Sequence, residues 1–261
     1  MAEFIKIGEE IVVKPKLDGM SYTLINGKVY DLLYDRFDDK SYLKENGELN
    51  IPKKLYKLEY DDNFINRVLT YFNSENSGNT TGVLLSGAKG TGKTMLSKRI
   101  ALESNLPIIV VSNEYPIVKI SSFFKNFTTP VVIMFDEIEK NPIYWKTKDL
   151  LGFLDGIEAT SKKLVLMTCN KTDELDDNLF DRCSRIRYYK EYKADSNSVL
   201  IRTIAEDKGV KNVDEVVNFI IERIEVKSFD NISSFIDEVL LFEDISLEEI
   251  AEVMNISLTK K

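Results

Sequence analysis

Hydrophobic residues near the start of the chain follow a strand-like pattern. Residues 4–13 and 21–33 are rich in β-branched and aromatic residues, which is typical of β-strands. The dipeptide Asn26-Gly27 lies between two alternating segments and predicts the tight turn of a β-hairpin, because both turn positions require a positive φ. We therefore expect residues 1–57 to form a small N-terminal region that contains β-strands.

From residue 61 onwards, helical and strand-like patterns alternate. A helix over 61–73 is expected to precede strands at 83–86, 107–112, 131–135, 164–168 and 185–189, with helices near 92–104, 117–127, 146–155 and 176–182 between them. Apolar runs separated by helices indicate a parallel sheet with helices on both faces. Residues 58–192 are therefore expected to form a three-layer α/β core.

The remaining residues, 193–261, have a helical pattern throughout. Apolar residues recur at helical spacing in the segments 196–207, 213–226, 231–242 and 246–255. Ser246 and Glu249 have the spacing of a capping box at the start of the last segment. We expect a C-terminal helical region.

Composition excludes several kinds of chemistry. The chain has 261 residues, no histidine, and two cysteines, Cys169 and Cys183. Without histidine it cannot use a Ser–His or Cys–His nucleophile pair or a His-ligated zinc ion. The cysteines do not form a Cys-x-x-Cys pair, so we expect reduced thiols in a cytoplasmic protein. The N-terminus lacks the apolar segment of a signal peptide, and no apolar run is long enough to span a membrane.

The net charge of −8 is distributed unevenly. Residues 206–261 hold 14 of the 43 acidic residues and 6 of the 35 basic ones, so residues 1–205 hold 29 of each. An acidic chain is a poor general ligand for nucleic acid, because such binding depends on Lys and Arg beside phosphates. Net charge does not argue against a local basic channel within the neutral part, residues 1–205.

A glycine-rich motif of the form G-x-x-x-x-G-K-[ST] follows the first strand of the expected core. Its residues are Gly87, Ala88, Lys89, Gly90, Thr91, Gly92, Lys93 and Thr94. Glycines let backbone N–H groups surround phosphates; Lys93 is expected to contact the β- and γ-phosphates of ATP, and Thr94 to bind Mg²⁺. A glycine-rich turn before a helix is the alternative, but the strand–loop–helix context favours a phosphate loop.

Two carboxylates, Asp136 and Glu137, directly follow the apolar strand 131–135. Ligands of parallel sheets bind at the carboxyl ends of the strands, so this pair is expected beside the phosphates. Asp136 would hold a hydrated Mg²⁺, and Glu137 would polarise the attacking water. The alternative is that both acids only stabilise the N-terminus of a following helix.

Residues 150–187 resemble the corresponding stretch of AAA+ ATPases. The matching residues are Leu150-Leu151, Leu154-Asp155-Gly156, Leu164 to Asn170, Leu175-Asp176 and Leu179. The resemblance is closest to the AAA clade proper and covers roughly residues 58–242. It implies that the nucleotide sits between the α/β core and a C-terminal helical lid. It also implies that Asn170 is the sensor-1 residue, which contacts the γ-phosphate or the attacking water; by its position alone Asn170 is equally a turn residue.

The resemblance further implies two arginines that reach the nucleotide of a neighbouring subunit. Arg182 and Arg185 occupy these positions, with Cys-Ser between them where the family usually has Pro-Gly. Arginine fingers supplied by a neighbour stabilise charge in the transition state. The alternative is that an arginine pairs with Asp181 or Asp177 inside its own chain.

The family also implies an aromatic residue that grips a threaded polypeptide in a central pore. Tyr115 follows the second strand of the core and is one candidate, while Tyr144 and Trp145, which follow Glu137, form a second. Stacking on nucleic-acid bases and simple packing in a core or interface are the alternatives for these aromatics.

Together these features predict an ATPase that uses ATP and Mg²⁺, assembles as a ring, most often a hexamer, and remodels or translocates a protein partner. The alternative is an ATP-switched loader that acts on DNA or on a replication complex. A third hypothesis is a nucleotide-binding scaffold without turnover. The AAA-clade motifs and the acidic charge favour the protein substrate, and the intact set of catalytic residues argues against the scaffold.

Overall fold

The computed structural model describes residues 2–15, 22–51, 56, 59–125, 127–140, 148–155, 160–172, 175, 179, 185–192 and 198–259. The contacts within the chain group it into two compact units. The first comprises residues 1–51, 60–86 and 94–190, and the second comprises residues 52–59, 87–93 and 191–261. Because these units are defined by contacts rather than by independent folding, the domain boundaries expected at 57/58 and 192/193 stay predictions.

Nine strands within the described residues form one sheet. They are β1 (Ala2–Ile7), β2 (Glu10–Pro15), β3 (Val29–Asp35), β4 (Lys40–Glu45), β5 (Thr80–Gly87), β6 (Ile108–Val111), β7 (Val131–Phe135), β8 (Lys163–Cys169) and β9 (Tyr188–Tyr192). Their order across the sheet is β1-β2-β4-β3-β6-β7-β8-β5-β9. The pairs β6–β7, β7–β8 and β5–β8 are parallel, as the alternation of apolar runs and helical segments predicts.

The central strands are buried on both faces. Every residue of β7 and of β8 is buried, which explains why the apolar runs show no polar alternation. The helices of this part are α1 (Glu59–Asn73), α2 (Lys93–Glu103), α3 (Ile120–Phe124) and α4 (Lys148–Leu154), with short 3₁₀ turns at Ile117–Lys119 and Ile138–Lys140. Parallel strands need such crossover segments between them. The predicted α/β fold is therefore confirmed.

The N-terminal strands extend the same sheet. β3 pairs in parallel with β6, with Val29 opposite Ile108, whereas β1–β2, β2–β4 and β3–β4 are antiparallel. The predicted hairpin at Asn26-Gly27 is wrong: Gly27 does lie in a turn with φ 77°, but residues 23–25 before it are not a strand. The backbone N–H of Gly27 donates to Leu106 instead, so a tertiary contact replaces the local pairing.

Four helices of the second unit, α5 (Ser198–Lys208), α6 (Val213–Arg223), α7 (Phe229–Leu241) and α8 (Leu247–Val253), share one apolar core. The rings of Phe219 and Phe235 stack with their centroids 5.6 Å apart. Ser246 accepts the backbone N–H of Glu249 at 3.3 Å, which is the cap that the sequence predicts for α8. Among the described residues, no helix combines the length and the apolar character that crossing a bilayer requires.

Candidate functional site

Three glycines shape the phosphate loop, which lies in the second unit. Gly87, Gly90 and Gly92 have φ angles of 134°, 77° and 98°, a region that residues with a Cβ rarely adopt. A Cβ atom on Gly87 would lie 2.4 Å from the carbonyl oxygen of Tyr192, and a Cβ atom on Gly90 would lie 2.4 Å from Cβ of Ser228. Glycine is therefore required at Gly87 and Gly90 both for backbone conformation and for space.

Two side chains of the loop fold back onto its backbone. Lys93 is 5% exposed, and its Nζ donates to the carbonyl oxygens of Gly87 and Ala88 at 2.7 and 2.8 Å. Thr91 Oγ1 donates to the same Ala88 oxygen at 2.8 Å, whereas the side chain of Lys89 is exposed. These contacts hold the ammonium group of Lys93 beside the first residues of the loop.

Asp136 lies in the first unit, directly after β7. Its Oδ1 accepts hydrogen bonds from Thr94 Oγ1 at 2.9 Å and from Thr168 Oγ1 at 2.6 Å. Thr168 Oγ1 in turn accepts the backbone N–H of Glu137 at 2.8 Å. Because β7 and β8 are parallel neighbours, with Phe135 opposite Met167, the carboxyl ends of these strands bring Asp136 and Thr168 together. The two residues predicted to bind Mg²⁺ are thus in direct contact.

Glu137 has an unusual backbone conformation, with a φ of 50°. A positive φ at a residue with a side chain costs of order 1 kcal/mol or more and recurs at functional sites. Its Oε1 accepts from Asn170 Nδ2 at 3.0 Å, and its Oε2 forms an ion pair with Lys140. Hydrogen bonding to Glu137 raises the pKa of the Lys140 ammonium group above its ordinary value.

Asn170 is held at the carboxyl end of β8 by Glu139. The backbone N–H of Asn170 and its Nδ2 donate to Glu139 Oε1 at 3.0 and 2.5 Å. A carboxylate only accepts hydrogen bonds, so the amide NH₂ of Asn170 faces the two glutamates and its oxygen faces away from them. The structure therefore brings Glu137 and Asn170 together, as their predicted roles require.

Sequence reasoning missed two residues of this group, Thr168 and Glu139. Thr168 orients both acids after β7, and Glu139 orients Asn170. Glu139 stands two residues after Glu137 in an acidic run, which is a weak signal, whereas Thr168 lies in an apolar strand and gives no signal as a ligand-site residue. Their positions follow from strand pairing rather than from any local motif.

The donor set around Asp136 fits a hard divalent cation. The Thr94 hydroxyl and the Asp136 carboxylate place two oxygens 2.9 Å apart, and oxygen ligands of this kind are those that Mg²⁺ prefers. Asp136 is exposed, and Glu137 and Glu139 add further negative charge beside it. These residues can therefore hold Mg²⁺.

Arg185 forms an ion pair inside its own chain. Its Nε and NH2 donate to the two carboxylate oxygens of Asp155 at 3.2 Å each, and the two side chains are 10% and 11% exposed. The partner differs from Asp181 and Asp177, which the sequence suggested and which, like Arg182, lie outside the described residues. A role for Arg185 in a neighbouring subunit stays a prediction, and it would require the side chain to leave Asp155.

Tyr115 is part of the core, so its assignment as an aromatic that grips a polypeptide is wrong. The side chain is 3% exposed, its hydroxyl is 2.9 Å from Ser41 Oγ, and its ring packs edge-on against Tyr34. Burial raises the pKa of its phenol to about 12. The segment after β6 therefore packs against β3 and β4, and the core alternative for this aromatic is confirmed. Tyr144 and Trp145 lie outside the described residues.

A family model and a solved structure both match the α/β part of the chain. The family model of the ATPase family associated with various cellular activities (AAA) matches residues 83–191, which run from β5 to β9. Over 78% of its length the chain superimposes on 73% of a RuvB mutant of Thermogota maritima, with a TM-score of 0.55 and 18% sequence identity. At that identity the likeness shows a shared fold.

Two curated relatives match parts of the chain. Protein SAV of Sulfolobus acidocaldarius is 30% identical over 194 residues, which are 66% of this chain and 21% of that protein. The proteasome-activating nucleotidase of Saccharolobus solfataricus is 33% identical over 129 residues, which are 39% of this chain and 33% of that protein. The chain thus corresponds to a fifth to a third of these longer relatives. Residues 83–191 thus match the AAA family of ATPases, and these matches support an AAA+ P-loop ATPase.

Proposed function

We propose that this chain hydrolyses ATP in the presence of Mg²⁺ and uses the hydrolysis to remodel or translocate a protein partner. The observation that carries the proposal is the connected group formed by Thr94, Asp136, Thr168, Glu137 and Asn170. Thr94 and Asp136 suit a Mg²⁺ ion, Glu137 suits the activation of water, and Asn170 suits the positioning of water or phosphate. A scaffold that only binds nucleotide has no need for a strained glutamate beside an amide.

The phosphate loop would bind the triphosphate. Its positive-φ glycines allow the backbone N–H groups to point at phosphate oxygens. The Nζ of Lys93 would exchange the carbonyl oxygens of Gly87 and Ala88 for the oxygens of the β- and γ-phosphates. That exchange replaces hydrogen bonds to neutral carbonyls by stronger bonds between charged groups.

Asp136 and Thr94 would hold Mg²⁺, which when bound neutralises charge on the phosphates. Glu137 would accept a proton from the water that attacks the γ-phosphate, and Asn170 would orient that water or the phosphate. For this the carboxylate of Glu137 has to turn from Lys140 towards the water. The exposed Lys140 offers a weak ion pair, so the change costs little.

The ring and the protein partner belong to this proposal too. Arg182 and Arg185 would stabilise the transition state in a neighbouring subunit. A protein partner is favoured because the chain is acidic and because one relative is, by its name, a nucleotidase that activates the proteasome. The two cysteines are not spaced as a Cys-x-x-Cys pair, and reduced thiols are typical of the cytoplasm, which is where we place this activity.

The first experiment compares the purified chain with Glu137→Gln and Lys93→Ala. We expect Glu137→Gln to bind ATP and to lose at least about a hundredfold in turnover, whereas Lys93→Ala should lose nucleotide binding. Protein partners that co-purify with Glu137→Gln in ATP but not with Lys93→Ala are the candidate substrates. Normal hydrolysis by Glu137→Gln would show that another group activates the water.

A mixing experiment tests the shared site. Glu137→Gln retains Arg185, and Arg185→Ala retains Glu137, so a mixture of the two inactive variants should recover turnover if the arginine acts on a neighbour. Asp155→Ala is the control, because it removes the internal ion pair and leaves the arginine. If the mixture of variants shows no ATP turnover and Asp155→Ala is as inactive as Arg185→Ala, then Arg185 acts only within its own chain.

A further inference from the structure

A groove lies between α6, α7 and α8 in the second unit. It has a volume of about 720 Å³, within the range of pockets that bind ligands. Val216 and Phe219 of α6 are buried at its base, and Val239 and Leu240 of α7 line its side. The groove therefore has a mixed lining, with apolar side chains between the helices and charged side chains, described below, around them.

Apolar residues continue from the groove onto its rim. Phe242 is 47% exposed and Ile245 is 38% exposed, and both line the groove where α7 leads into α8. Leu241, which precedes Phe242 in the chain, is 72% exposed but is not among the residues that line the groove. Exposed apolar side chains at the mouth of a groove, such as Phe242 and Ile245, are typical of an interaction site.

Carboxylates flank these apolar residues. Of the acids that line the groove, Glu243 pairs with Lys211, and Glu248 pairs with Arg223. Those two cations are thereby neutralised within the groove. Glu215 and Glu222 also line it and are exposed, and neither forms an ion pair with another described residue. The groove therefore presents uncompensated negative charge.

The spacing of the two acids is regular. Glu215 and Glu222 are seven residues apart on α6, so they lie on one face of the helix and about 10.5 Å apart along its axis. A helix docked alongside places cations at the same spacing when Lys or Arg recurs every two turns. Its apolar residues at i, i+3, i+4 and i+7 then face the groove, as in other helix-in-groove complexes.

We propose that this groove binds a basic amphipathic helix of a partner protein. The apolar face of the helix would fill the space between Phe219, Leu240 and Phe242, and its Lys or Arg residues would pair with Glu215 and Glu222. The argument rests on charge complementarity and on the exposed apolar rim. It is independent of ATP hydrolysis, because every residue named lies outside the phosphate loop and the Asp136 group.

The test measures binding of a fluorescent amphipathic peptide of about four turns, with leucines on one face and lysines two turns apart. The double variant Glu215→Lys/Glu222→Lys should weaken binding about tenfold or more. The control Glu225→Lys/Glu252→Lys makes the same change in net charge at exposed acids of the same unit that do not line the groove. It should bind as the wild type does, and a peptide with glutamate in place of lysine should not bind.

Three further results decide the inference. Amide NMR shifts at Ile245 and Leu247 should move when the basic peptide is added, and Phe242→Ser should weaken binding. Equal losses in the groove variant and its control would show general attraction to an acidic protein and would overturn the proposal. Concentration-dependent self-association that Phe242→Ser abolishes would assign the groove to a second copy of the chain. Peptide binding that persists in Glu137→Gln separates this result from the proposed ATPase mechanism.

Discussion

Replacement of Thr168 by valine tests how the sheet positions Asp136 and Glu137, the two acids that we propose act in catalysis. Thr168 is 1% exposed; its hydroxyl donates to Asp136 at 2.6 Å and accepts the backbone N–H of Glu137 at 2.8 Å. Valine has nearly the same shape, so Thr168→Val removes both hydrogen bonds without creating a cavity. The substitution therefore separates the hydroxyl from the packing of the side chain.

Two effects follow from this loss. The N–H of Glu137 is left without its acceptor, which costs about 1–3 kcal/mol in free energy of unfolding. Asp136 and Glu137 also lose the group that fixes them, and a displacement of about 1 Å at a catalytic group lowers turnover as much as a hundredfold. We expect kcat to fall between about tenfold and a hundredfold, while nucleotide affinity changes little because the phosphate loop is intact.

Thr168→Ser is the matched control. It keeps the hydroxyl and removes one buried methyl group, which costs about 1 kcal/mol of stability. Turnover measured at saturating Mg–ATP should stay near the wild-type value in the serine variant, and urea unfolding should show that both variants are folded. If Thr168→Val keeps wild-type kcat, or if Thr168→Ser loses as much kcat, the hydroxyl does not position the acids.

Further predictions concern a buried lysine, two glycines and an ion pair. Burial lowers the pKa of Lys163 to about 8, so between about pH 8 and pH 10 the unfolded chain binds more protons than the folded chain. Over that range the melting temperature of the wild type should therefore rise with pH relative to that of Lys163→Met. Melting temperatures that change with pH in the same way in both proteins would contradict this. Gly90→Ala should weaken ATP binding more than Gly92→Ala in a titration with labelled nucleotide. Both positions hold alanine at a positive φ, but of the two only position 90 lacks room for a Cβ atom. Arg185→Ala should lower the free energy of unfolding by about 2–3 kcal/mol, because it removes two charge-assisted hydrogen bonds to the Asp155 carboxylate. An unchanged urea midpoint would show that the ion pair contributes nothing.

Local signals account for most of what the sequence predicts correctly. The strand Val131–Phe135 has the predicted bounds, because a five-residue apolar run before two acids has few other folded conformations. The phosphate loop is equally local: its glycines have the positive φ angles that the motif requires. Helices such as α6 and α8 begin within a residue or two of their predicted starts, since spacing and caps are encoded in neighbouring residues.

Predictions fail where partners are distant in sequence. Strand β4 was not predicted, because its charged residues resemble a loop until Leu43 is buried against β3. The strand expected at 185–189 lies at 188–192, three residues later. Arg185 pairs with Asp155, thirty residues away in the sequence, a partner that no local pattern predicts. In each case the structure depends on a contact between residues that are far apart in the sequence, which a local pattern does not contain.

The sequence by itself determined the chemistry of this protein: a loop that suits phosphates, a carboxylate pair after a buried strand, an asparagine after the next one, and an acidic helical end. The tertiary structure alone decided which groups orient them. Thr168 and Glu139 become part of the site only because β7 and β8 are parallel neighbours. Tyr115 is buried because it packs against β3 and β4. Such choices depend on contacts made after the chain has folded, and a motif contains only residues that are already close in sequence.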